Sequence, residues 1–118
     1  MGFWSTSLYG NDVTLDIKND YVKYLKKGLS VEEAESKVME EWNDLLGTDE
    51  EPLLWLALAD TKWKYGLLDE ETKKKALYFI EQQPLLEEFE EAGERRAWLN
   101  TLNKLKLKLL SEKQVSLV

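Results

Sequence analysis

Between Pro52 and Gly66 the chain reads PLLWLALADTKWKYG, and Leu53, Leu54, Trp55, Leu56, Ala57, Leu58 and Ala59 follow one another without a polar break. Wound into a helix, these side chains cover every side, the pattern of a segment enclosed by other elements rather than laid on a surface. The run is far short of the ~20 residues a membrane span needs. The other segments are amphipathic, each with one apolar stripe to bury, and packing them around the enclosed helix satisfies all of them at once. The expectation is an all-α fold: a single domain over residues 1–118, with five or six helices around a central apolar helix at about 52–66. An irregular aromatic N-terminal arm occupies 1–10, and the tail from 111 to 118 is expected to fray.

Local signals divide the rest of the chain. Asn11 or Asp12 is placed to cap a first helix that runs to Gly28, with Val13, Ile17, Tyr21, Tyr24 and Leu25 as its stripe. Ser30 and Glu33 have the S-x-x-E spacing of a capping box. That predicts a second helix that buries Val31, Ala34, Val38, Trp42, Leu45 and Leu46 and closes at Gly47. Acids before Pro52 suit the positive end of the central helix, and Gly66 ends it. Asp69 caps a fourth helix from Glu70 to about Gln82, which Gln83-Pro84 breaks because proline disfavours helical geometry in the residue before it. Leu85, Leu86 and Phe89 suggest a short fifth helix. A last helix from about Glu94 to Leu110 places Trp98, Leu99, Leu102, Leu105 and Leu109 inward. Its KLKLKL stretch alternates as a strand would, but it lacks β-branched residues and continues the upstream leucine spacing, so helix is expected.

The chain has no cysteine and no histidine. Thiolate chemistry, the usual imidazole base and the commonest zinc ligand are therefore absent, leaving carboxylates, hydroxyls, tyrosines and lysines for any chemistry. A net charge of −7 argues against nucleic-acid binding, whose affinity rests on counterion release by basic surfaces. No basic region precedes an apolar stretch in the manner of a secretory leader. A cytoplasmic protein with neither membrane attachment nor cofactor is expected. The charge is segregated: Val31 to Glu94 holds 19 acidic and 6 basic residues, whereas Arg95 to Val118 holds 6 basic and 1 acidic.

Two stretches carry a resemblance. Met1-Gly2-Phe3-Trp4 followed by Asn11-Asp12, together with the segment ALADTKWKYG from Ala57 to Gly66, resembles a family of small uncharacterised bacterial proteins. Its members begin M-G-x-W-G-x-G and carry a related A-x-T-Q-W-K-x-G segment. Ser5 and Ser7 stand where that opening has glycines, which argues against a phosphate-gripping glycine loop. The resemblance implies a bacterial cytoplasmic protein, Gram-positive or phage-related, and brings no activity with it.

Three constellations bear on function. The first is Asp60, a carboxylate directly after seven apolar residues, which must be solvated, paired or hydrogen-bonded. With Trp63 and Trp4 it defines a candidate pocket; as an exposed i, i+4 pair with Lys64 it would be ordinary helix surface. Asp12, Asp16 and Asp20 stack in one column on a helix, and with Asp60 they would suit magnesium, so a carboxylate-based or magnesium-dependent enzyme is the second hypothesis. The second constellation is aromatic. Trp42, Trp55 and Trp98 fall on buried stripes, while Trp4 and Trp63, with Tyr9 and Tyr65, form either a clamp on the arm or an exposed recognition patch. The third is the acidic and aromatic surface of Glu40, Glu41, Trp42, Asp49, Glu50 and Glu51, suited to a basic protein partner. The leading expectation is accordingly a non-enzymatic binding protein in the style of an immunity or inhibitor protein. A homo-oligomer, with the basic last helix of one copy against the acidic middle of another, is the third.

Overall fold

A computed structural model describing residues 3–111 places the apolar run at the centre of five helices: α1 (Asp12–Lys26), α2 (Val31–Glu41), α3 (Glu51–Lys64), α4 (Glu70–Glu81) and α5 (Ala92–Leu110). Met1, Gly2 and the expected tail beyond Ser111 lie outside the described residues. Every α3 residue from Pro52 to Lys62 is buried. On one side Leu53, Leu56 and Ala59 pack with Ala76 and Ile80 of α4 and with Trp98, Leu102, Leu105 and Leu109 of α5. On the other, Leu54, Ala57 and Leu58 meet Ile17 and Tyr21 of α1 and Ala34 and Val38 of α2. The central helix thus splits the core in two, and each leucine it buries contributes about 1.5–3 kcal/mol. This is the single all-α domain that the sequence pattern calls for.

The starts of α1, α2 and α4 follow their capping residues. Asn11 accepts from the Thr14 amide at 2.9 Å. Both halves of the Ser30–Glu33 box form, at 3.1 and 3.0 Å. Asp69 accepts from the Thr72 amide at 3.2 Å. Gly66 turns the chain out of α3 with φ of 71°, a left-handed conformation that favours glycine. No described helix is long and apolar enough to cross a membrane.

Two segments differ from their sequence expectation. The second helix stops at Glu41, and Asn43–Leu45 forms a single 3₁₀ turn that leaves Trp42 half-buried and Leu46 exposed. Asn43 and Asp44 weaken a helix interior by competing for its backbone bonds. The Trp42 indole is also drawn across to Asp20 of α1 at 3.2 Å. The expected fifth helix is likewise only a 3₁₀ turn, Leu86–Glu88. Gln83 and Leu85 both adopt left-handed conformations, with φ of 50° and 62°, around Pro84. Such non-glycine residues each cost on the order of 1–2 kcal/mol. Burial of Leu85 and a 2.8 Å bond from the Trp98 indole to the Pro84 carbonyl hold them there. The final helix begins at Ala92, slightly earlier than expected, and continues through KLKLKL with Leu105 and Leu109 buried.

Candidate functional site

The arm from Phe3 to Asn11 closes on itself before reaching α1. Phe3 and Asn11 form an isolated antiparallel bridge, and the Trp4 amide donates to the Gly10 carbonyl at 2.9 Å. At the pinch a Cβ on Gly10 would lie 2.2 Å from Ser5 Oγ and 2.7 Å from the Ser5 carbonyl oxygen, so only glycine fits. Phe3 anchors the loop, its ring 4.9 Å from Phe89 and 5.3 Å from Trp98. Thr101 of α5 donates to the Thr6 carbonyl at 2.7 Å. Trp4 is turned outward and 59% exposed, so Phe3, not Trp4, supplies the aromatic anchor of the arm.

This loop carries Tyr9 to Asp60. The phenol donates to Asp60 Oδ2 at 2.7 Å and lies 3.2 Å from Thr61 Oγ1. Lys108 of α5 binds Asp60 Oδ1 at 2.8 Å, and Lys64, one turn along α3, approaches Oδ2 at 3.2 Å. With 3% of its side chain exposed, Asp60 is no surface member of an i, i+4 pair; it is a buried anion that joins the arm, α3 and α5. Burial alone would raise its carboxyl, but the hydrogen bonds from Lys108 and Tyr9, with the charges of Lys108 and Lys64, outweigh that and hold it below the usual carboxylate range. Burial, reinforced by the Asp60 charge, raises the Tyr9 phenol well above its ordinary value, so it stays protonated.

A cleft of about 340 Å³ opens over this group. Its walls are Ser7, Leu8 and Tyr9 of the arm, Asp60 and Lys64 of α3, and Thr101, Lys104, Leu105 and Lys108 of α5. Lys18 and Lys64 both lie over the Tyr9 ring, at 4.8 and 5.3 Å, and Lys108 lies 4.9 Å over Trp63. The indole N–H of Trp63 is buried and has no hydrogen-bond partner among the described residues. Of the expected pocket residues, then, Asp60 borders the cleft, Trp63 touches one of its lysines, and Trp4 does not line it.

The aspartate column does not assemble with Asp60. Asp12 and Asp16 are exposed on α1, Asp20 is engaged by Trp42, and no three carboxylates among the described residues are grouped to hold a metal ion. Asp60 itself is directed at two ammonium groups and a phenol.

A second buried charge, which pattern reading passed over, lies two residues along α3. Lys62 is 1% exposed and is bound by Glu35 of α2 at 2.8 Å, by Asp69 at 2.7 Å and by Thr72 of α4 at 3.1 Å. Burial works against the Asp69 charge, but bonds from Lys62 and Thr72 prevail and bring its carboxyl down to about 2. The Tyr21 hydroxyl is buried and has no hydrogen-bond partner among the described residues. Burial first, then the charges of Glu35, Asp69 and Glu32, pushes this phenol up to about 12.

The expected partner-binding residues are not equivalent. Glu40 and Asp49 are exposed. Glu41 accepts a hydrogen bond from the Tyr24 hydroxyl, and Trp42 is half-buried. Glu50 is half-buried. Glu51 is used within the fold, accepting from the Gly47 amide at 2.9 Å and the Trp55 indole at 3.0 Å.

No protein-family model, curated protein or solved structure matches the chain.

Proposed function

We propose that the domain is a non-enzymatic protein-binding module that receives a basic protein partner on the acidic face of α2 and the loop leading to α3, as immunity and inhibitor proteins do. One observation carries the reading: Val31 to Glu51 contains nine carboxylates and one lysine, a local charge of −8 against −7 for the whole chain. Within it Glu40, Asp44 and Asp49 are exposed, and the ion pairs among the described residues involve none of them. Leu46 adds an exposed apolar point beside them. Unpaired carboxylates of one sign project a field that steers a basic surface and sets its orientation, while the apolar contact lengthens residence.

The test is salt-dependent capture. Tagged protein is incubated with lysate of the cells that express it, at about 50 mM and about 500 mM salt, where the Debye length falls from roughly 14 to roughly 4 Å. A basic protein is expected to be retained at low salt and released at high salt. Reversal of Glu40, Asp44 and Asp49 to lysine should abolish its capture, whereas reversal of Glu87, Glu88 and Glu90 should leave it intact. Equal loss from both sets would show that net charge alone is at work and would sink the assignment of this face.

A further inference from the structure

We infer that the cleft over Asp60 is a binding site for a small organic phosphate monoester. Three ammonium groups, Lys64, Lys104 and Lys108, border it against the single carboxylate of Asp60, a local excess of +2 on a chain whose net charge is −7. That excess matches a phosphomonoester, which carries about −1.5 to −2 at neutral pH.

The lysines are not equivalent in their duties. Lys64 and Lys108 are tethered to Asp60 at 3.2 and 2.8 Å, which fixes the direction of their remaining N–H donors. Asp60 therefore acts as a positioning residue: it spends one negative charge to hold two positive ones in place before a ligand arrives. Lys104 has no ion-pair partner among the described residues and is free to close on the anion. The cleft, at about 340 Å³, exceeds what a bare phosphate fills and lies in the range of small-molecule sites. Leu8, Leu105 and the Tyr9 ring offer apolar wall to the organic part of the ligand. An acidic face elsewhere on the molecule repels the same anion, so the cleft is the place where it settles.

The experiment is calorimetric titration of the full chain with glycerol phosphate and, separately, inorganic phosphate, at about 150 mM salt where diffuse surface attraction is screened beyond ~8 Å. Wild type is expected to bind glycerol phosphate saturably, and more tightly than inorganic phosphate. Lys104→Gln, an exposed change that leaves the Asp60 contacts intact, should weaken binding about fivefold to tenfold. The double variant Lys26→Gln and Lys27→Gln, with two lysines removed at the C-terminal end of α1 and outside the cleft lining, should not. Absence of saturable binding up to about 20 mM would overturn the proposal. So would equal weakening by the remote pair, and equal affinity for the two phosphates would overturn its organic half.

Discussion

Asp60 and Lys62 lie two residues apart on α3, with 3% and 1% of their side chains exposed, one negative and directed to the arm and α5, the other positive and directed to α2 and α4. Each is held by two counter-charges and a hydroxyl: Lys64, Lys108 and Tyr9 for Asp60, and Glu35, Asp69 and Thr72 for Lys62. Such arrangements answer the same difficulty, since an isolated buried ion costs several kcal/mol. They differ in what holds the ion. The carboxylates around Lys62 sit on short stems, and Asp69 is already fixed as the cap of α4, so that group is the more rigid. Asp60 is held by lysines, whose long flexible stems reach in from the rim of an open cleft. One buried charge thus fastens helices together, and the other does so while leaving cations within reach of a ligand.

The sharpest way to break this contrast is to remove each ion and measure urea unfolding at neutral pH. Lys62→Ala opens a void where a buried stem lay and strips Glu35 and Asp69, 29% and 46% exposed, of their shared cation, and should lose about 2–4 kcal/mol. Asp60→Asn should lose less, about 2 kcal/mol, because Lys64 and Lys108 can swing their charges into water while the amide still accepts from Tyr9. Equal losses would mean that the lysine-held group is as rigid as the carboxylate-held one, and the distinction between them would fall.

The same pair shows how far sequence reasoning reaches. The apolar run, the Ser30–Glu33 box and the Asp69 cap are local patterns, and local physics decides them. Asp60 stood out because a carboxylate after seven apolar residues needs an explanation. Lys62 did not, since a lysine in TKWK looks like the solvated end of a helix. Yet an enclosed helix demands partners for every polar residue within it, and that argument, extended two positions, points to Lys62. Its partners were not legible: Glu35 arrives from a different helix, and Lys108 reaches Asp60 from 48 residues away. Nor did the run of aromatics in the arm reveal that Phe3 turns inward and Trp4 outward, a choice made by the Gly10 pinch.

Acid titration gives the finest measure of the contrast. Asp69, with its carboxyl lowered to about 2, is ionised in the folded state where the unfolded chain has begun to take up protons, near pH 3.9. Between those two values the unfolded state binds more protons, so stability rises with pH; the contribution is complete above about pH 5 and is lost as pH falls through 2. The Asp69 side chain is 46% exposed, so solvent screening reduces the contribution to less than about 1 kcal/mol. Carboxyl NMR should place the Asp69 midpoint about 2 in wild type. Lys62→Met, which keeps the stem and deletes the charge, should raise that midpoint toward the ordinary range, with the Thr72 bonds retaining part of the depression. Asp60→Asn should leave it where it is, because its partners belong to the other group. A midpoint that moves with Asp60→Asn would show the two groups to be electrostatically coupled through α3, and they would then have to be treated as one site.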